Sequence, residues 1–187
     1  MRRLFLALPF VLLPLAMANA ADAHDHDHEH DSLPPHEHGV GSLNVALDGQ
    51  TLELDLDGPS INLVGFEHIA TTDADKAKVN AARKQLEDPH TLFSLPKAAG
   101  CTTEAQELES PLFDPAPEES TAKGGHHHSD IDVHYAFTCS KPDGLKSLDL
   151  AQFFKTFPGT HSLKVQLIGP SGQQSVVVTS KAPTVTF

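Results

Sequence analysis

The sequence predicts an α+β fold made mainly of antiparallel β-hairpins with two short helices and one disulfide. Three observations lead there. Apolar residues alternate with polar ones on both sides of tight-turn signals, two segments repeat at helical spacing, and nothing indicates a βαβ nucleotide-binding unit. A length of 187 residues with 39% hydrophobic content suits one domain core.

The chain opens with Arg2 and Arg3, an apolar stretch from Leu4 to Met17 and a small-x-small site at Ala18-Asn19-Ala20. Residues 1–20 therefore read as a cleaved secretory signal. The apolar run is short and carries Pro9 and Pro14, so stable membrane insertion after its removal is not expected, and no cysteine follows it to take a lipid anchor. Residues 21–38 lack apolar periodicity and are expected to be disordered. Residues 39–187 are expected to form a single α+β domain with a flexible His-containing loop at 110–130.

Within that domain Leu43, Val45 and Leu47 alternate up to Asp48-Gly49, and Leu52, Leu54 and Leu56 alternate after it. Asp48-Gly49 is read as the turn, pairing Leu47 with Gln50, Val45 with Leu52 and Leu43 with Leu54. A loop is expected from Gly58 to His68. Thr72 can then cap a helix with Asp75 three residues on, whose apolar face is Ala74, Ala77, Ala81 and Leu86, up to Pro89. A strand follows later, with Ile131, Val133, Tyr135, Phe137 and Cys139 on one face and Asp130, Asp132 and His134 on the other. Leu150, Phe153, Phe154 and Phe157 fit a second helix, stopped by Pro158-Gly159. A last hairpin joins Leu163, Val165 and Leu167 to Val176, Val177 and Val178 through Gly169-Pro170-Ser171-Gly172.

Export to an oxidising compartment makes Cys101 and Cys139 a disulfide pair in preference to two buried thiols or half of a zinc shell. The closed loop of about 38 residues would stabilise the fold by roughly 4 kcal/mol in the chain-entropy model. Such a bridge is expected to clamp the base of the His-bearing loop.

Charge and composition narrow the chemistry. With 25 acidic against 13 basic residues and a net charge of -12, the chain would repel nucleic acid. The 13 histidines and the carboxylates are ligands for borderline divalent metals. His24, His26, His28, His30, His36 and His38 interleave with acids in the leading tract, where they can wrap an ion at moderate affinity. His126, His127 and His128 form a second group, Asp132 and His134 a third on a strand face, and Glu67 with His68 a fourth in a loop. More than one ion is expected. The donor types admit zinc, copper and nickel, which leaves copper or nickel buffering as an alternative. The string His126-x-His128-x-Asp130 also fits a dinuclear metallohydrolase, but it follows Gly124-Gly125 and lacks surrounding α/β layers. No glycine-rich phosphate loop, H-E-x-x-H helix or G-x-S-x-G elbow is present, so an enzyme is not expected.

The order His36-Glu37-His38-Gly39, Leu43-x-Val45-Ala46-x-Asp48-Gly49 and Asn62-Leu63-Val64-Gly65-Phe66-Glu67-His68 resembles the ZrgA family of periplasmic, zinc-uptake-associated proteins. His134-Tyr135-x-Phe137-x-Cys139, Leu148-Asp149 and Phe154 to Pro158 look like the rest of the same domain. The resemblance implies a periplasmic protein that binds Zn(II) and assists its acquisition, working with a periplasmic or inner-membrane zinc transport system. It carries His36, His38, Glu67, His68 and His134 as matching positions. A fixed site near His38, Glu67, His68 and His134, fed by the His-rich segments, is the resulting expectation.

Overall fold

The computed structural model describes residues 37–113 and 129–187. Residues 1–20, read above as a signal, and His24, His26, His28, His30, His36 and the run His126-His127-His128 lie outside the described residues. Among the described residues, eight strands and four α-helices form the α+β fold. The strands are β1 (Val40–Asp48), β2 (Thr51–Pro59), β3 (Cys101–Glu109), β4 (Asp130–Cys139), β5 (Ser147–Asp149), β6 (Ser162–Gly169), β7 (Gly172–Thr179) and β8 (Thr184–Thr186). The helices are α1 (Ser60–Val64), α2 (Asp73–Leu86), α3 (Pro89–Leu92) and α4 (Ala151–Thr156). Six strands make one sheet in the order β3-β4-β2-β1-β6-β7, and β5 pairs with β8.

The first hairpin forms with the expected apolar face but in another register. Leu47 faces Leu52, Val45 faces Leu54 and Leu43 faces Leu56. The two-residue turn is Gly49-Gln50, with Gly49 at φ 57, and this Gly-X order is the type II′ pattern. The difference is two residues, one full side-chain period, so the same residues still face inward. All six are at most 6% exposed.

Two helices were expected and both are present. Thr72 caps α2 as anticipated: its Oγ1 accepts from the Asp75 N–H at 3.1 Å and donates to Asp75 Oδ2 at 2.7 Å. The buried face is Val79, Ala82 and Leu86, whereas Ala74, Ala77 and Ala81 are exposed. Val79 and Leu86 bring more apolar area than any alanine, so they decide which side turns inward. In α4 the expected stripe holds, with Leu150, Phe153, Phe154 and Phe157 all buried. The additional helices are single turns. Pro89 starts α3 behind its cap Asp88, and α1 occupies part of the segment expected to be loop.

The sheet is antiparallel except between β1 and β6, which run parallel from Val40↔Ser162 to Ala46↔Ile168. β4 lies between β2 and β3 and buries Ile131, Val133, Tyr135, Phe137 and Cys139 as the alternation requires. Tyr135 donates its hydroxyl to the Leu86 carbonyl at 2.7 Å, tying the end of α2 to the sheet. The same alternation leaves Asp132 and His134 on the polar face.

The Cys101–Cys139 disulfide is present and joins directly opposed residues of β3 and β4. Its position corrects one expectation. Cys101 begins β3 and Cys139 ends β4, so the bridge closes the hairpin at the end away from residues 110–129, roughly 25 Å along the strands. What closes the loop end is a hydrogen bond from Ser110 Oγ to the Asp130 carbonyl, 2.8 Å long.

Candidate metal centre

The segment Asn62-Leu63-Val64-Gly65-Phe66-Glu67-His68 folds around the start of β1. Gly65, at φ 87, ends α1 in a left-handed cap and reverses the chain. This turn buries Phe66 and sets Glu67 beside His38, whose Nε2 lies 3.0 Å from Glu67 Oε1. The Glu67 side chain is 14% exposed and that of His38 is 54% exposed, so the pair opens to solvent on the imidazole side. Asn62 holds the approach to β1: its Oδ1 accepts from the Gly39 N–H at 2.7 Å and its Nδ2 donates to the Val40 carbonyl at 2.9 Å. Gly39 sits at φ 84, and a Cβ there would come within 2.6 Å of His161 Nδ1. Glycine after His38 is therefore required by both backbone and neighbour.

Glu67 is also where the chain returns from the second His-bearing segment. Ser129 Oγ donates to the Glu67 carbonyl at 3.0 Å, and the Ser60 N–H donates to the Ser129 carbonyl at 2.8 Å. The Ser60 and Ser129 hydroxyls are 2.6 Å apart, and Ser60 Oγ donates to the Phe66 carbonyl at 2.7 Å. Both serines are buried. This buried polar cluster fixes the residue following His128 against the carboxylate-bearing turn.

His68 stacks on Phe66 with ring centroids 4.5 Å apart. Its Nδ1 lies 3.0 Å from the Ile69 carbonyl, an arrangement in which Nδ1 carries the proton and Nε2 remains available as a ligand.

A second group lies on the polar face of the sheet. Cross-strand pairing sets Glu107, His134 and Asp55 in one row, and Glu109, Asp132 and Asp57 in the next. They line a groove of about 340 Å³ together with Asn44. His134 Nδ1 is 2.6 Å from Asp55 Oδ1. That hydrogen bond raises the His134 pKa above 6.5; partial desolvation opposes the rise, and the charges of Asp55, Glu53 and Glu107 add to it. The Asp132 carboxyl is pushed up from 3.8 to about 6, first by desolvation between its neighbours. A hydrogen bond with Asp57 and the charges of Asp57, Asp130 and Glu109 add to that shift.

His38, Glu67, His68 and His134 do not form one assembled centre. Among the described residues, no three His, Cys, Asp or Glu side chains converge to hold a metal ion. His38 pairs with Glu67 and His134 with Asp55. His134 is five residues along β4 from Ser129, roughly 16 Å, which separates the sheet-face group from the Glu67 turn. Sequence reasoning missed Asp55, Asp57, Glu107 and Glu109. The signal for the first two was present, since Glu53, Asp55 and Asp57 alternate with the buried leucines of β2 and must share its outer face.

A family model described as ZrgA family zinc uptake protein matches residues 35–187. No curated protein matches the chain. The matched region contains the whole described fold, from the His38–Glu67 pair to β8, and on that ground the chain belongs to the ZrgA family of zinc uptake proteins.

Proposed function

We propose that this protein is exported to the periplasm, where it captures Zn(II) and passes it to a zinc transport system of the periplasm or inner membrane. The observation that carries this reading is the convergence at Glu67. The tract containing His24, His26, His28, His30 and His36 leads into His38 at the Glu67 carboxylate. The run His126-His127-His128 leads into Ser129, bonded to the Glu67 main chain. Two imidazole-rich segments thus join the fold at one turn that already holds a carboxylate and an imidazole side by side.

Zinc takes four N/O/S ligands in tetrahedral geometry. His38 and Glu67 supply two, and the adjoining segments hold further imidazoles within a few residues. His134, with Asp132 and Asp55 beside it, provides a second place of capture, in keeping with more than one bound ion. The protein acts as a binding module and not as an enzyme. The family match favours zinc over copper or nickel, whose ligand preferences the same side chains satisfy.

Calorimetric titration of Zn(II) into the exported chain tests this, alongside a chain lacking residues 21–35 and the variant Glu67→Gln. The deletion is expected to lower the stoichiometry, and Glu67→Gln to weaken the tightest site about tenfold or more. Unchanged stoichiometry and affinity in both would reject the reading.

A further inference from the structure

His38 stands on a tight turn that is fastened from several directions. The Val40 N–H donates to the Glu37 carbonyl at 3.0 Å, and Gly39, at φ 84, takes the third position as in a type II turn. Asn62 binds this turn through its side-chain amide. The Gly39 carbonyl also accepts from the main-chain N–H groups of His161, at 2.7 Å, and Ser162, at 3.0 Å.

The His161 ring lies against the same turn. A Cβ at Gly39 would come within 2.6 Å of His161 Nδ1. With a Cα–Cβ bond of about 1.5 Å, Nδ1 is within about 4 Å of the Gly39 Cα, and the His38 Cα is about 3.8 Å from that. An imidazole nitrogen lies up to about 6 Å from its own Cα and two nitrogens on one tetrahedral zinc are about 3.3 Å apart, so this spacing lets both rings reach one ion. His161 is exposed, and among the described residues no hydrogen bond or ion pair engages its ring.

The neighbouring pair has the spacing of zinc ligands. His38 Nε2 and Glu67 Oε1 are 3.0 Å apart, close to the separation of about 3.3 Å between two corners of a zinc tetrahedron. The other described imidazoles are engaged elsewhere. His68 stacks on Phe66, two residues away, so the intervening Glu67 points to the other side. His90 bonds Thr103 and His134 bonds Asp55.

We propose that His161 is the third protein ligand of the zinc ion held at His38 and Glu67, its ring turning onto the ion as the ion binds. This rests on the capture reading above and names the ligand set of that site. Among the described residues the three side chains do not converge as they stand, so the shell closes by rotation of the exposed His38 and His161 rings about the fastened turn. Two imidazoles and one carboxylate leave the fourth tetrahedral position open to water or to an incoming imidazole. An ion thus enters and leaves by exchange at one position while three ligands retain it.

Ring ¹⁵N NMR of the exported chain, labelled at histidine and titrated with Zn(II), tests the assignment. One nitrogen of His161 is expected to move to the frequency of a metal-bound imidazole in the same step as His38. His161→Phe keeps an aromatic ring against Gly39 without a donor nitrogen. In competition with a chromophoric chelator it is expected to weaken the tightest site at least about tenfold, the cost of losing even a group that only orients a ligand. Unfolding in chelator checks the fold of each variant, and the wild-type NMR result stands if a variant fails to fold. The proposal is overturned if the His161 nitrogens stay in place while His38 responds, or if a folded His161→Phe binds as the wild type does. Should His38→Gln and Glu67→Gln still weaken binding in that case, the capture reading survives without His161. If neither ring responds and all three variants bind as the wild type does, both fall.

Discussion

Replacing Asp132 by Asn is expected to stabilise the metal-free protein, and only above the acid range. The Asp132 carboxyl is raised from 3.8 to about 6 because desolvation, Asp57 and the charges of Asp130 and Glu109 all disfavour its ionised form. An acid whose folded pKa lies above its unfolded value binds its proton more tightly in the native state. Stability linked to it is therefore full below pH 3.8 and is lost as pH rises from there through about 6. A shift of this size corresponds at most to about 3 kcal/mol. Asp132 is exposed, so solvent screening reduces the net effect to about 1 kcal/mol. Asn retains the shape and a hydrogen bond to Asp57 but cannot ionise. Thermal and urea unfolding in chelator should thus give Asp132→Asn an advantage of about 1 kcal/mol near pH 7.5, equivalent to about 3 °C in Tm. The advantage should vanish near pH 4. Equal stability at pH 7.5, or the same gain at both pH values, would refute the reasoning.

Two further outcomes follow from the same sheet. Asp55→Asn removes the first cause of the raised His134 pKa, so an NMR titration of the imidazole should show its midpoint falling toward 6.5, and the stabilisation of the protonated pair lost with it. Tyr135→Phe leaves the buried Leu86 carbonyl without its 2.7 Å donor and should cost about 1–2 kcal/mol in urea unfolding with no change in zinc stoichiometry.

The parts of the fold legible in the sequence were those where one face is continuously apolar. Leu43 to Leu56, Ile131 to Cys139 and Leu150 to Phe157 declared their inward sides because alternation or helical spacing leaves few other solutions. The register of the first hairpin was not legible, since a slip of two residues preserves every inward position and only the turn geometry at Gly49 decides between them. β3 was not legible either: as an edge strand it buries little, and its sequence alternates weakly. The alanines of α2 misdirected the face because small residues contribute little burial.

For the candidate site, residue types were readable and neighbourhoods were not. His38 and Glu67 are 29 positions apart, and His134 and Asp55 are 79 apart. Their contacts exist only through α1, the Gly65 turn and the pairing of β2 with β4. Residue chemistry and the family resemblance grouped His134 with Glu67, whereas the strand carries it away along the polar face.

The disulfide at the far end of the β3–β4 hairpin separates two kinds of evolutionary freedom. Because Cys101 and Cys139 and the ladder beside them hold the hairpin from the end away from residues 110–129, a change of length between Phe113 and Ser129 leaves those constraints in place. Doubling that length adds only about 0.6 kcal/mol of loop-closure cost. On the proposed reading, ion capacity would be adjusted by inserting or deleting histidines there, with Ser110 and Ser129 marking where new sequence rejoins the scaffold.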